Sequence, residues 1–156
     1  MHERQGANKL AVADQAGLRD IKQDAHMYEQ KTRDVIVRVE PDFLDEQSSP
    51  ADDRFIWAYT VDIENQGATE YQVMERFWKI ADSRGHVQEV RGAGVVGEKP
   101  VVRPGETFRY TSGAPLNAPS GVMLGSYKLE SPDGERFDVE IPLFNLDSPH
   151  EPRLLN

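Results

Sequence analysis

The 156-residue chain contains no cysteine. That absence excludes disulfides, thiolate zinc sites and cysteine nucleophiles, and it fits a reducing compartment. The chain also lacks any stretch near the roughly 20 consecutive apolar residues that a membrane-spanning helix requires. Its first thirty residues are polar and acidic, with no apolar signal core. Positive charge is scarce: 18 Lys and Arg face 27 Asp and Glu, for a formal net charge of -9. Such a field repels phosphate backbones and anionic membranes, so neither nucleic acid nor a membrane is an expected partner. Together these absences predict a cytoplasmic protein.

What is present suits one domain, since 38% apolar content supports a single modest core in a chain of this length. Residues 1–31 carry only scattered apolar side chains among many charges, and the expectation for them is a mobile N-terminal extension. A β-sandwich domain is expected over residues 32–156.

From Asp34 onward the apolar residues recur with the two-residue period of strands. Val35, Val37 and Val39 alternate first. Phe55, Trp57, Tyr59, Val61 and Ile63 then put five large side chains on one side of a strip, which marks the central strand. In YQVMERFWKIAD, Met74, Trp78 and Ile80 share one side by parity and Val73 and Phe77 the other, with Arg76 interrupting the first. Further runs are HVQEV, ETFRYTS, GVMLGSYKLE and ERFDVEIPLF, separated by turn signals such as Ser131-Pro132-Asp133-Gly134. About seven short strands at this spacing predict an all-β fold, an antiparallel sandwich or barrel.

Gly92, Gly94 and Gly97 have the spacing G-x-G-x-x-G. A dinucleotide site of that pattern needs a helix after the glycines, whose free N–H groups and dipole attract phosphate. Here two prolines and β-branched residues follow, which oppose a helix, and no Lys-Ser or Lys-Thr completes a phosphate loop of the other kind. Two readings stand. The glycines permit a tight, bulged crossover between strands, or they form a nest of N–H groups that binds an anion, flanked by Arg91, Lys99 and Arg103. On the second reading, filling Gly94 weakens binding while the sandwich stays folded.

The four histidines, His2, His26, His86 and His150, are far apart and show no metal-ligand spacing. Asp42, Asp45, Glu46, Asp52 and Asp53 crowd one loop without the spacing of a calcium site, and read as a solvated acidic surface. Ser112 and Ser120 lack a nucleophile elbow. No catalytic residue, metal ligand or cofactor is expected from these patterns.

Residues 76–130 carry a dense, ordered set of features: Trp78, Asp82, Gly85 and Glu89-Val90 lead into GAGVVGEKP. Pro104-Gly105, Phe108, Tyr110, Ser112, Leu116, Gly121-Val122-Met123, Gly125 and Tyr127 follow. In this the chain resembles the ApaG family from about Thr32 to Asn156. The resemblance implies a fibronectin type III- or immunoglobulin-like β-sandwich with the glycine motif in a loop between strands. It also implies an association with cobalt and magnesium tolerance in bacteria, and a suggested diphosphate-binding role for that loop. The domain's recurrence in eukaryotic F-box and DNA-polymerase-interacting proteins favours a binding module over an enzyme.

The expectation is therefore a non-catalytic module that binds another protein through strand edges or end loops. The first alternative is a small-ligand module, with Arg91, Gly92, Gly94, Gly97 and Lys99 holding a diphosphate-containing metabolite. The second is direct binding of a divalent cation. An exposed strand edge would also allow a homodimer.

Overall fold

The computed structural model describes residues 27–150. The first part of the expected extension, residues 1–26, lies outside them, and so do His2 and His26. The strands are β1 (Tyr28–Thr32), β2 (Val35–Phe43), β3 (Phe55–Asn65), β4 (Tyr71–Asp82) and β5 (Val87–Ala93). After them come β6 (Val101–Val102), β7 (Thr107–Leu116), β8 (Gly121–Glu130) and β9 (Arg136–Leu146). Two antiparallel sheets face each other, one in the order β1-β2-β3-β7 and the other β5-β4-β8-β9, with β6 also paired to β4.

Two of these strands differ from the expectation. β1 begins the sandwich at Tyr28, inside the segment assigned to the extension, because its sequence YEQKT offers no apolar alternation to read. Only its end residues, Tyr28 and Thr32, are half-buried. β6 is two residues long and too short for any periodic signal.

β3 is interior to its sheet, between β2 and β7. Phe55, Trp57, Tyr59, Val61 and Ile63 are all buried, as their alternation predicts. Trp57, near the start of β3, ties this end of the sandwich together: its indole N–H donates to the Asp147 carbonyl at 2.8 Å, and Phe43 meets its ring edge-on at 5.3 Å between centroids.

β4 departs from simple parity. Its register against β8 shifts between Val73 and Glu75, so Met74 is an extra residue in a β-bulge. The bulge resets the alternation. Tyr71 and Val73 before it and Trp78 and Ile80 after it are all buried on the inner side. This corrects the two-sided assignment made by parity, which grouped Met74 with Trp78 and set Val73 opposite. Arg76, paired with the buried Tyr127, shares the inner side with Trp78 and Ile80, the face that its charge was expected to interrupt.

The two lateral sides of the sandwich differ. On one, β1 closes over β9: the Glu140 N–H donates to Thr32 Oγ1 at 3.1 Å and the Asn145 N–H to the Tyr28 hydroxyl at 3.4 Å. On the other, β5 and β7 are the last strands of their sheets, and among the described residues no strand pairs with their outer edges.

Candidate functional site

The glycine motif joins β5 to β6 along one edge of β4. Glu75 pairs with Ala93, while Gln72 and Tyr71 pair with Val101 and Val102. The segment between is a loop tucked against the β4 bulge. The Gly94 N–H donates to the Met74 carbonyl at 2.8 Å, and the Val73 N–H to the Pro100 carbonyl at 2.9 Å. Within the loop, Val95 and Glu98 exchange both main-chain bonds, at 2.8 and 2.9 Å. Between them Val96 and Gly97 have φ of +41° and +80°, the signature of a two-residue hairpin turn of the primed type. Positive φ is costly for a β-branched residue. The fully buried Val95 plugs the loop into the core and holds the turn in place.

Each glycine has its own local reason. At Gly94, φ is +59° and a Cβ would stand 1.9 Å from the Glu98 carbonyl oxygen. At Gly92 a Cβ would stand 2.7–2.8 Å from the Arg76 guanidinium. Gly97 faces open space and is demanded by its φ alone. The N–H groups of Gly94, Val95 and Glu98 are donated to carbonyls of the protein itself. Because Gly94 is tied into the fold, a change there alters the loop before it tests any ligand.

The cations around the loop separate. Arg76 reaches from the inner side of β4, and its Nη1 donates to the Ala93 and Gly94 carbonyls at 3.0 and 3.1 Å. Arg91, on the outer side, lies with its guanidinium 4.2 Å from the centre of the Phe77 ring. Lys99 is exposed, and its carbonyl accepts from Gln72 Nε2 at 3.0 Å. Arg103 is exposed, and its N–H donates to Glu106 Oε1 at 3.0 Å.

A groove of about 400 Å³ crosses the sheet beside the loop. Arg76, Phe77, Arg91, Gly92, Ser126 and Lys128 are among its walls, whereas Gly94, Gly97 and Lys99 are not. The structure thus brings Arg91 and Gly92 together and leaves the other three predicted positions apart. The groove is not simply cationic: Lys128 pairs with Asp138 at 2.9 Å, and Glu75 lies 3.7 Å from Arg136. Sequence reading missed Arg76, whose signal was its position, a charge inside an apolar alternation.

Beneath Arg76 lies a buried group of phenols. The hydroxyls of Tyr110 and Tyr127 are hydrogen-bonded to each other, and Tyr59 is buried beside them with Ser112 as its partner. Burial raises all three phenols, and pushes Tyr110 and Tyr127 well above the usual tyrosine range, so they remain neutral at ordinary pH. The role this supports is structural. Tyr110→Phe is expected to cost roughly 1–3 kcal/mol by removing the partner of the Tyr127 hydroxyl. Adding Tyr127→Phe should cost less than the sum of the two single changes, as measured by urea unfolding of all three variants.

The acidic loop spreads its charges. Asp53 pairs with Arg84 at 3.3 Å, Asp45 with His150 at 3.6 Å, and Asp52 accepts from Ser49 Oγ at 2.7 Å. His86 lies beside Asp82 at 3.3 Å, while His150 sits against the rings of Phe43 and Phe55. Among the described residues no helix is long and apolar enough to cross a membrane.

These observations define a class first: a two-sheet antiparallel β-sandwich with a glycine loop spliced into an edge strand. Comparison with known proteins makes it particular. The ApaG domain model matches residues 45–131. Proteins named ApaG from Parvibaculum lavamentivorans and Paramagnetospirillum magneticum are 55% and 56% identical over 130 residues, covering 83% of this chain and all of each relative. A Bordetella pertussis protein solved by crystallography under the name ApaA superposes with a TM-score of 0.73 at 47% identity, over 77% of this chain and 98% of that one. The chain belongs to the ApaG domain family.

Proposed function

We propose that this chain is a non-catalytic binding module whose partner is another protein, docked as an extended segment along the open side of the sandwich. The observation that carries the reading is β5. Every residue of this edge strand except the half-buried Gly92 is exposed, including the apolar Val87 at 57% and Val90 at 38%. An unpaired edge with apolar side chains is a template for strand addition, with main-chain bonds giving affinity and side chains giving selectivity. On this reading, the cobalt and magnesium tolerance associated with the family acts through the protein partner and not through an ion held by this chain.

The test is photo-crosslinking in the host cell, with a photoreactive residue at Glu89 and, as control, at Asp138 on the sheet face. Adducts from position 89 and not from 138 support docking at β5. Equal adducts from both positions, or none, overturn it.

A second reading has one observation in its favour, the groove beside Gly92. Its walls offer Arg76, Arg91, Ser126 and Lys128 to a diphosphate-containing ligand, with Phe77 for an attached ring. Amide shifts confined to the groove on titration with pyrophosphate and nucleoside diphosphates, lost in Arg91→Ala, would support it. No response at millimolar ligand would remove it.

A further inference from the structure

We infer that β5 pairs with β5 of a second copy of this chain, joining two four-stranded paths into one continuous sheet across a two-fold axis at Val90. This rests on reading β5 as a docking edge and names the strand that edge fits.

The argument begins with main-chain direction. The Asp82 N–H donates to the His86 carbonyl, and the Gly94 N–H to the Met74 carbonyl. The register between these two pairs is unbroken, from Ala81↔Val87 to Glu75↔Ala93. In an antiparallel ladder bonded and non-bonded pairs alternate, so the even residues of β5 bond to β4. Val87, Glu89, Arg91 and Ala93 point their N–H and C=O groups outward. An incoming antiparallel strand must therefore place odd residues opposite odd residues.

Side chains then select among the permitted registers. With the axis at Val90, Glu89 stands directly opposite the partner's Arg91, and Arg91 opposite the partner's Glu89. Val87 meets the partner's Ala93, and Val90 meets its own copy. Centring the axis on Glu89 or on Arg91 instead sets like charges face to face, which is destabilising in a cross-strand pair. The stretch VQEVRGA is thus self-complementary in one central register, the condition for a two-fold interface. Val90 adds an apolar contact. It pairs with the buried Trp78 and so belongs to the inner side of the sheet, yet it is 38% exposed because β5 is the last strand there.

The absence of cysteine makes the register directly testable. Val90→Cys places one thiol on the axis in a non-hydrogen-bonded pair, where opposed Cα atoms lie close enough to bridge. Under mild oxidation it should form a disulfide dimer roughly tenfold faster or more than Thr111→Cys on the β7 edge. In sedimentation analysis, Glu89→Arg and Arg91→Glu should each weaken self-association roughly tenfold or more, and the double variant should recover most of the wild-type affinity.

A wild-type protein that stays monomeric at millimolar concentration overturns the inference. So does Thr111→Cys linking as fast as Val90→Cys, or a double variant no better than the singles. If the protein is monomeric while position 89 crosslinks to a different protein, self-pairing fails and docking at β5 survives. If position 89 forms no adduct and the protein is monomeric, both fall.

Discussion

Gly94→Ala is expected to destabilise the protein by about 3 kcal/mol, the largest effect of any single methyl group added to the glycine motif. Two costs add. The residue has φ of +59°, which disfavours any Cβ by about 1–2 kcal/mol. The new methyl would also stand 1.9 Å from the Glu98 carbonyl oxygen, a backbone atom held by the Val95–Glu98 bonds. Overpacking against a fixed group costs about 1–3 kcal/mol more. Gly97→Ala is the control. It has φ of +80° and open space around it, so only the conformational cost of about 1–2 kcal/mol applies. Urea unfolding of the two variants checks this, and equal midpoints would show that the loop is not spliced into the edge as described. The same reasoning says that a ligand experiment on this protein should alter Arg91, which is exposed, and not Gly94.

Trp57→Ala is expected to cost about 3–5 kcal/mol. Trp57 is 1% exposed near the start of β3, with the Phe43 ring edge-on against it. The change also removes the donor to the Asp147 carbonyl, which ties the end of β9 to the opposite sheet. A loss of this size is a large fraction of a small domain's stability, so the variant should lose its cooperative thermal transition or shift it down by well over ten degrees. Trp57→Phe keeps most of the volume and should fall between the two. A Trp57→Ala protein melting within a few degrees of wild type would show that the side chain is not the core's anchor.

The fold was largely legible because its strands alternate cleanly. Phe55 through Ile63 and Val139 with Ile141 are buried at every second residue, as half-buried strands require. The candidate site was less legible. Arg91 and Gly92 do share a groove, but Gly94, Gly97 and Lys99 are not among its walls. Their nearness in sequence says nothing about direction once a turn with two positive φ values lies between them. Arg76 could be seen in sequence only as a charge in the wrong place. Its purpose, gripping the carbonyls of Ala93 and Gly94, belongs to residues seventeen and eighteen positions away.

By itself the sequence determined that the protein is a cysteine-free, acidic, all-β domain and that β3 is its central strand, while for the glycine motif it left a strand crossover and an anion nest both open. These follow from composition, side-chain periodicity and proline placement, which act over a few residues. Only the tertiary structure decided which side of β4 faces inward, because one bulged residue at Met74 inverts every later parity. It alone decided which edge is open, since that depends on β1 covering β9 while β5 and β7 end their sheets uncovered by any described strand. Pairing between strands distant in sequence is set by the summed packing of both sheets, and no local pattern encodes it.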